Sequence, residues 1–137
     1  NIQTGLSQLD DLQRRITAKR EHFEAYRAAL GELTGVAFMP ITDPDAVNYW
    51  LTCLTVTPMP GGSSRDQIIQ ALADANIEAR PLWKPLHLQP VFQDCASIGG
   101  ECAEGLFATG LCLPSGSSMC ADDRSRVIEI VRSCFSE

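Results

Sequence analysis

Side chains able to contact an anionic ligand are concentrated in one short segment of this chain. The segment runs from residue 80 to residue 87 and contains Arg80, Trp83, Lys84 and His87. Two prolines within it restrict the backbone, so we expect a stiff loop. Cations and an aromatic ring on a stiff loop are suited to binding a phosphate group or stacking against a base. The pattern alone leaves an alternative open, a surface loop whose cations pair with acids and whose tryptophan is buried in the core.

Other candidates for chemistry are less specific. The six cysteines lie at positions 53, 95, 102, 112, 120 and 134, and none of their spacings is that of a zinc site. We therefore predict free thiols that serve as small core residues, as in proteins of a reducing cytoplasm. The sequence has no Gly-x-Ser-x-Gly motif and no cysteine with a histidine close to it in sequence. A hydrolase or thiol enzyme is accordingly the weakest of the functional hypotheses.

The composition is that of an ordinary globular domain. The chain has 137 residues, of which 45% are hydrophobic and 20% are charged, and its formal net charge is −6. An acidic chain is poorly suited to bind nucleic acid or an anionic membrane surface, and no apolar run reaches the roughly 18 residues of a membrane helix. The chain begins inside a helical pattern without an initiator methionine, so we expect a piece of a longer protein.

A long amphipathic helix is predicted over the first thirty residues. Apolar side chains recur along it every seven residues, at Ile2, Leu9, Ile16, Phe23 and Leu30. Gly31 follows the last of them, and glycine is a typical residue at the end of a helix. The charged residues on the other faces, Lys19 among them, are expected to face solvent.

The remaining elements alternate between strands and helices. Residues 31–47 are predicted as a loop, 48–56 as a strand, 65 to about 76 as a helix, 77–82 as a strand, 101–109 as a short helix and 111–113 as a strand. Ser64 and Gln67 have the spacing of a capping box, and Asp122 or Asp123 is expected to cap a final helix. The predicted fold is therefore of the α+β class, with a small three-stranded sheet and helices packed on one face.

Three segments in series resemble motifs of one enzyme family. Residues 5–12, GLSQLDDL, resemble a G-x-x-Q-L-x-x-L helix, residues 76–90 resemble a GI-x-x-R … P-L-H-x-Q-P segment, and residues 106–114 resemble an A-x-x-L … L-x-L-P stretch. All three motifs are those of the DegT/DnrJ/EryC1/StrS sugar aminotransferases, and their order and spacing agree over nearly the whole chain. Residues 83–92, WKPLHLQPVF, are most similar to the subgroup described as pilin-glycosylation or bacillosamine-pathway aminotransferases.

The resemblance implies that residues 1–137 are the C-terminal small domain of a fold type I aminotransferase. The family's larger N-terminal domain would hold pyridoxal 5'-phosphate, with the Schiff-base lysine upstream of residue 1, since neither Lys19 nor Lys84 lies at the matching position. The isolated chain would then be inactive. The complete enzyme would be a cytoplasmic homodimer that transfers the amino group of glutamate to a keto-deoxy sugar nucleotide, for glycosylation of pilin or other proteins or for surface polysaccharide.

The resemblance also implies roles for the residues of segment 80–87, none of them catalytic. His87 would hydrogen-bond the sugar or a phosphate, and Trp83 would shape the wall of the site. Lys84 or Arg80 would neutralise the diphosphate, although the bidentate guanidinium of Arg80 is equally suited to a carboxylate of the amino donor. The keto sugar, the nucleotide, amination at C3 or C4, and transaminase or dehydratase chemistry all stay open. The alternative to an enzyme is a stand-alone ligand-binding or regulatory module with the same fold.

Overall fold

The computed structural model describes residues 8–59 and 62–135, and its mixed helices and sheet confirm the α+β class. In chain order the elements are helix α1 (Leu12–Leu30), strands β1 (Val36–Phe38) and β2 (Thr52–Val56), helix α2 (Arg65–Asp74), strand β3 (Arg80–Pro81), two short 3₁₀ helices (Leu86–Leu88 and Pro90–Phe92), helix α3 (Glu101–Thr109), strand β4 (Gly110–Leu113) and helix α4 (Ala121–Ser133). None of the described helices is both long and apolar enough to cross a membrane.

The strands form one antiparallel sheet in the order β1-β2-β4-β3. The sequence predicts three strands, and the fourth is β1, which lies within the predicted loop 31–47 and is too short to show an alternating pattern. Strand β2 begins at Thr52 rather than at residue 48, because Tyr49 has a φ of 50°, which a strand residue does not adopt. Strand β3 has only two residues, Arg80 and Pro81, instead of the predicted 77–82. Pro81 is tolerated because β3 is an edge strand, and the amide of Leu82 still donates to the carbonyl of Gly110 at 3.1 Å.

The hydrophobic core lies between one face of the sheet and three helices. Alternate residues of β2 are buried, as expected for a strand with one face covered. The buried cluster combines residues of α1, α2, α4 and the strands, namely Tyr26, Leu30, Leu54, Val56, Ile68, Leu72, Leu111, Leu113, Val127 and Val131. Among the described residues, none from α3 belongs to this cluster or packs against it. The prediction that helices pack on one face of the sheet is therefore confirmed for α1, α2 and α4.

Helix α1 is packed mainly along its C-terminal half. Phe23 and Leu30 of the predicted apolar stripe are buried, whereas Leu9 lies in the helical residues 8–10 that precede α1 and is 63% exposed. Ile2 lies outside the described residues. The helix ends before Gly31 as predicted, but Gly31 has a φ of −68° and forms no left-handed cap. A close approach favours glycine here instead, because a Cβ atom would lie 2.5 Å from the carbonyl oxygen of Arg27.

The two helix-capping predictions have different outcomes. Ser64 caps α2 as predicted: its Oγ accepts a hydrogen bond from the amide of Gln67 at 3.3 Å, and Gln67 Oε1 accepts one from the amide of Ser64 at 2.7 Å. The N-cap of α4 is Cys120 rather than Asp122 or Asp123. The Asp123 carboxylate instead reaches back to accept from the amide of Cys120 at 3.0 Å, so the acid acts from inside the first turn.

All six cysteines are free thiols, as predicted, but only three of them are buried or half-buried. Cys112 is buried, and Cys53 and Cys134 are half-buried. The exposed cysteines are Cys95, Cys102 and Cys120, so their prediction as core residues was wrong. Cys102 and Cys95 lie in α3 and in the irregular segment before it, which take no part in the core, and Cys120 is the N-cap of α4.

Candidate functional site

A cleft of about 740 Å³ lies beside strands β3 and β4 and brings three of the four predicted site residues together. Arg80, Trp83 and Lys84 line it, and His87 does not. The stiff segment that the prolines predict therefore forms one wall. The rest of the lining comes from α1, the segment before β2, α3, β4 and the loop after β4, through residues that include Lys19, Trp50, Leu51, Phe107, Cys112 and Ser115.

The two cations of this wall differ in how far their charge is already neutralised. Arg80 donates from Nε to Glu78 Oε1 at 2.7 Å, and its Nη2 forms an ion pair with the same oxygen. Both side chains are exposed, so this pair is weak, but it leaves the guanidinium with a carboxylate beside it. Lys84 is exposed, and its ammonium has no ion-pair partner within residues 8–59 and 62–135. Lys84 is thus the cation more readily available to an anionic ligand.

The aromatic part of the wall is a pair of tryptophans rather than a single one. Trp83 is 64% exposed and Trp50 is 62% exposed, and their ring centroids lie 5.8 Å apart at an interplanar angle of 39°. Burial of Trp83 in the core, which the sequence left open as an alternative, is therefore excluded. Two exposed indoles in contact, tilted relative to each other, offer apolar ring faces to a base or to the face of a sugar ring.

Trp50 is a site residue that the sequence reasoning missed. The aromatic run 48–56 indicates a strand, so Trp50 was assigned to the sheet. The available signal was Asn48, whose side-chain oxygen accepts a hydrogen bond from the amide of Trp50 at 3.1 Å. The side chain of asparagine commonly accepts a hydrogen bond from the backbone amide two residues later, and this bond forms a turn. Together with the positive φ of Tyr49, this turn directs Trp50 out of the sheet and towards the cleft.

His87 is held against helix α3, away from the lining of the cleft. Its Nε2 lies 2.8 Å from Glu104 Oε1, and its side chain is 22% exposed. The ring also packs against Gly100, where a Cβ atom would lie 2.7 Å from His87 Cε1. Gly100 has a φ of +117°, which favours glycine on its own account. In this structure the contacts of His87 with Gly100 and Glu104 connect the end of segment 80–87 to α3.

Lys19 is the second residue that the sequence reasoning placed differently. The helical pattern assigns it to the solvated face of α1, yet its ammonium donates to the carbonyl oxygens of Trp50 at 3.0 Å and Ser115 at 2.8 Å. Partial burial lowers the pKa of Lys19 from its usual value. A long lysine stem can bend away from the face on which its Cα lies. Lys19 thereby connects the segment before β2 to the loop after β4, and both of these segments line the cleft.

Helix α1 holds the loop after β4 through three polar side chains on one face. Besides Lys19, the Tyr26 hydroxyl donates to the carbonyl of Pro114 at 2.9 Å, and His22 Nε2 lies 3.1 Å from the carbonyl of Gly116. The other ring nitrogen of His22 lies 3.2 Å from the guanidinium of Arg124. Because a carbonyl only accepts and a guanidinium only donates, His22 is the neutral tautomer with its proton on Nε2.

The stability of the 137-residue chain is expected to fall as the pH falls below about 6.5, the ordinary pKa of histidine. Burial first, and the Arg124 guanidinium second, lower the pKa of His22 in the folded chain. The unfolded chain therefore binds the proton at a higher pH than the folded chain does. The stabilising contribution is complete above the unfolded pKa and is lost between that pKa and the lower folded one.

Urea unfolding across this pH window, compared between the native chain and the His22→Gln variant, measures the effect. Glutamine can donate to Gly116 and accept from Arg124 but does not titrate, so the variant is expected to have the flatter dependence on pH. Subtracting the two curves removes the contributions of all groups other than residue 22. Parallel curves would show that His22 is not protonated more readily on unfolding.

The described residues do not fit a site for pyridoxal phosphate. The chain has two lysines, and the ammonium of Lys19 is engaged by two carbonyls while Lys84 lies on an exposed loop. Within the described part of the chain, no three side chains of histidine, cysteine, aspartate or glutamate are grouped to hold a metal ion. With the exposed ammonium of Lys84 and the indoles of Trp50 and Trp83, the cleft is suited to bind and orient an anionic, partly aromatic or sugar-bearing ligand.

Comparison with known proteins gives a consistent set of relatives. The sequence model of the DegT/DnrJ/EryC1/StrS aminotransferase family matches residues 2–132. EpsN of Bacillus subtilis strain 168, assigned as a pyridoxal phosphate-dependent aminotransferase, is 46% identical over 135 residues, which is 96% of this chain and 34% of EpsN. GDP-perosamine synthase of Caulobacter vibrioides is 30% identical over 134 residues, covering 93% of this chain and 35% of the synthase.

The fold has close counterparts among solved structures. The crystal structure of DesI in the presence of its TDP-sugar product superimposes with a TM-score of 0.81 at 27% identity, covering 96% of this chain and 34% of DesI. The chain thus spans about a third of the length of the relatives that it matches. Since the family's sequence model covers all but a few residues at either end, the chain belongs to the DegT/DnrJ/EryC1/StrS aminotransferase family.

Proposed function

We propose that residues 1–137 form the C-terminal small domain of a pyridoxal phosphate-dependent aminotransferase. The complete enzyme transfers the amino group of glutamate to a keto-deoxy sugar carried on a nucleoside diphosphate. The observation that carries this proposal is the cleft itself, which combines two exposed indoles with the ammonium of Lys84, for which the described residues supply no ion-pair partner. Family membership and the span of about a third of the relatives' length support it.

The cleft residues divide between the two ends of such a substrate. The ammonium of Lys84 offers a charge-assisted hydrogen bond to a diphosphate oxygen. Trp50 and Trp83 offer a stacking surface to the base or to the apolar face of the sugar. Arg80 is held by Glu78, so it contributes to the wall with its charge partly offset. His87 remains a proposed sugar or phosphate ligand, and to act as one its ring must turn from Glu104 towards the cleft.

The names of two relatives support a nucleoside diphosphate as the carrier. GDP-perosamine synthase is named for a GDP-sugar, and DesI was crystallised in the presence of a TDP-sugar. We further propose that the amino sugar is used to glycosylate pilin or other proteins or to build surface polysaccharide, since residues 83–92 resemble that subgroup. The proposed enzyme is a cytoplasmic homodimer, as its family is expected to be.

The proposed cofactor site lies outside the 137 residues, because neither lysine fits it. No step of the amino transfer is therefore assigned to this chain. Its residues bind the sugar nucleotide, orient it and close one side of the site. The isolated chain is accordingly expected to be inactive, and the complete gene product that contains it is expected to be active.

An absorption measurement with pyridoxal phosphate tests this proposal directly. The complete gene product is expected to acquire a visible absorption band with the cofactor, and glutamate is expected to shift that band. The isolated 137-residue chain, treated in the same way, is expected to show the spectrum of free cofactor. A band that does not respond to glutamate would contradict a transaminase and favour a dehydratase. No band on the complete protein would contradict cofactor chemistry altogether and favour a stand-alone binding module.

A further inference from the structure

Two cysteines that are distant in sequence face each other across the centre of the sheet. Cys53 of β2 and Cys112 of β4 are direct partners in the antiparallel register, and their sulfur atoms lie 3.6 Å apart. Opposite residues of such a ladder have Cβ atoms about 4.5–5.5 Å apart, close to the roughly 3.5–4.5 Å that a disulfide requires. The register therefore brings the two thiols near bonding geometry with little movement of the backbone.

The pair lies on the face of the sheet that points away from the core. The neighbours of each cysteine in its strand are buried on the other face, among them Leu54 and Leu111. Cys112 lines the 740 Å³ cleft, and Cys53 lines an adjoining hollow of about 470 Å³. Trp50 and Trp83 line both hollows. Each cysteine therefore borders one of two neighbouring hollows.

The contact between the two sulfur atoms also makes them chemically unequal. The hydrogen bond between the two thiols lowers the pKa of Cys112, and the same contact, with burial, raises the pKa of Cys53. A thiolate is the reactive form of cysteine in exchange with disulfides. The exposed Cys95, Cys102 and Cys120 have no second sulfur within hydrogen-bonding distance in the described part of the chain. Because Cys112 lines the 740 Å³ cleft and Cys53 the smaller hollow, Cys112 is placed as the attacking sulfur and Cys53 as the resolving one.

We propose that Cys53 and Cys112 are a redox-active dithiol that forms a reversible cross-strand disulfide between the cleft and the adjoining hollow. The oxidant is a small-molecule disulfide such as oxidised glutathione. The Cys112 thiolate attacks one of its sulfur atoms, so a mixed disulfide forms and one glutathione thiolate leaves. The Cys53 thiol gives its proton to water, and its sulfur attacks Cys112, so the internal disulfide forms and the second glutathione thiolate leaves. Two protein thiols are oxidised and one small disulfide is reduced to two thiols.

The disulfide can be mapped on the complete gene product equilibrated with oxidised and reduced glutathione. A Cys120→Ser variant simplifies the map, because serine is also a good N-cap residue. Cleavage after arginine and glutamate then leaves Cys53 as the one cysteine in residues 33–65 and Cys112 as the one cysteine in residues 105–124. We expect these two peptides to be joined, with the loss of two hydrogen masses, and to separate on treatment with dithiothreitol.

Two controls keep the test independent of any one variant. In the unsubstituted protein, oxidation is expected to protect Cys53 and Cys112 together from an alkylating reagent that labels them after reduction. In Cys53→Ser, Cys112 is expected to retain glutathione as a mixed disulfide, because the resolving thiol is missing. The proposal is overturned if the folded protein gains glutathione on its exposed cysteines while peptides 33–65 and 105–124 stay separate. Alkylation of Cys53 that is unchanged by oxidation would overturn it equally.

Discussion

Replacing Leu111 with alanine is expected to lower the free energy of unfolding of the 137-residue chain by about 2–5 kcal/mol. Leu111 has no exposed surface, lies opposite Leu54 in the sheet and packs within the core cluster. The smaller side chain leaves a cavity that rigid neighbours on the sheet cannot fill. Because a domain of this size has a free energy of unfolding of about 5–15 kcal/mol, the variant loses a large part of its stability.

Urea unfolding followed by circular dichroism measures this loss, and Leu86 supplies a matched control. Leu86 is 66% exposed, so the same substitution there is expected to change the free energy of unfolding by less than about 0.5 kcal/mol. The size of the side-chain deletion is identical in the two variants, and only burial differs. Equal losses at Leu111 and Leu86 would contradict the core described above.

Replacing Lys84 with methionine in the complete gene product is expected to lower kcat/KM for the sugar nucleotide by about 10- to 100-fold. A charge-assisted hydrogen bond contributes about 1.5–3 kcal/mol, and each 1.4 kcal/mol is a tenfold change. The diphosphate is remote from the carbon that reacts, so the loss is expected mainly as a higher KM. Steady-state kinetics with varied sugar nucleotide and saturating glutamate provide the measurement.

Two further variants show whether the charge of Lys84 is responsible. Lys84→Arg keeps the cation and is expected to recover most of the lost kcat/KM. Arg80→Met removes a cation that already has Glu78 beside it, so a smaller rise in KM is expected from that change. A KM for Lys84→Met that equals that of the unsubstituted enzyme would remove Lys84 from the binding site without affecting the cofactor test.

Local sequence signals predicted the helices of this domain better than they predicted its strands. The end of α1 before Gly31 and the capping box at Ser64 follow from interactions within a few residues. The register of Cys53 opposite Cys112 joins residues 59 positions apart, and no local pattern encodes it. Strand β1, with three residues, has too few side chains to display its alternation.

The same distinction applies to the candidate site. Segment 80–87 could be selected from its composition, and the structure brings Arg80, Trp83 and Lys84 to one cleft. The contact between His87 and Glu104 could not be predicted, because it depends on where α3 packs after the irregular segment. The two hydrogen bonds of Lys19 could not be predicted either, because helical periodicity gives the direction of the Cα–Cβ bond and not the reach of a long side chain.

The three bonds from α1 to the loop after β4 have a consequence for how this domain folds. They join residues that are 96, 94 and 88 positions apart, so they raise the contact order of the part of the fold that shapes the cleft. Closing such long loops costs entropy before any bond is gained. On the ribosome, a nascent chain that ends at residue 113 already contains α1 and all four strands, yet it lacks the carbonyl groups of Pro114, Ser115 and Gly116. The cleft is therefore completed only after nearly the whole domain has been synthesised.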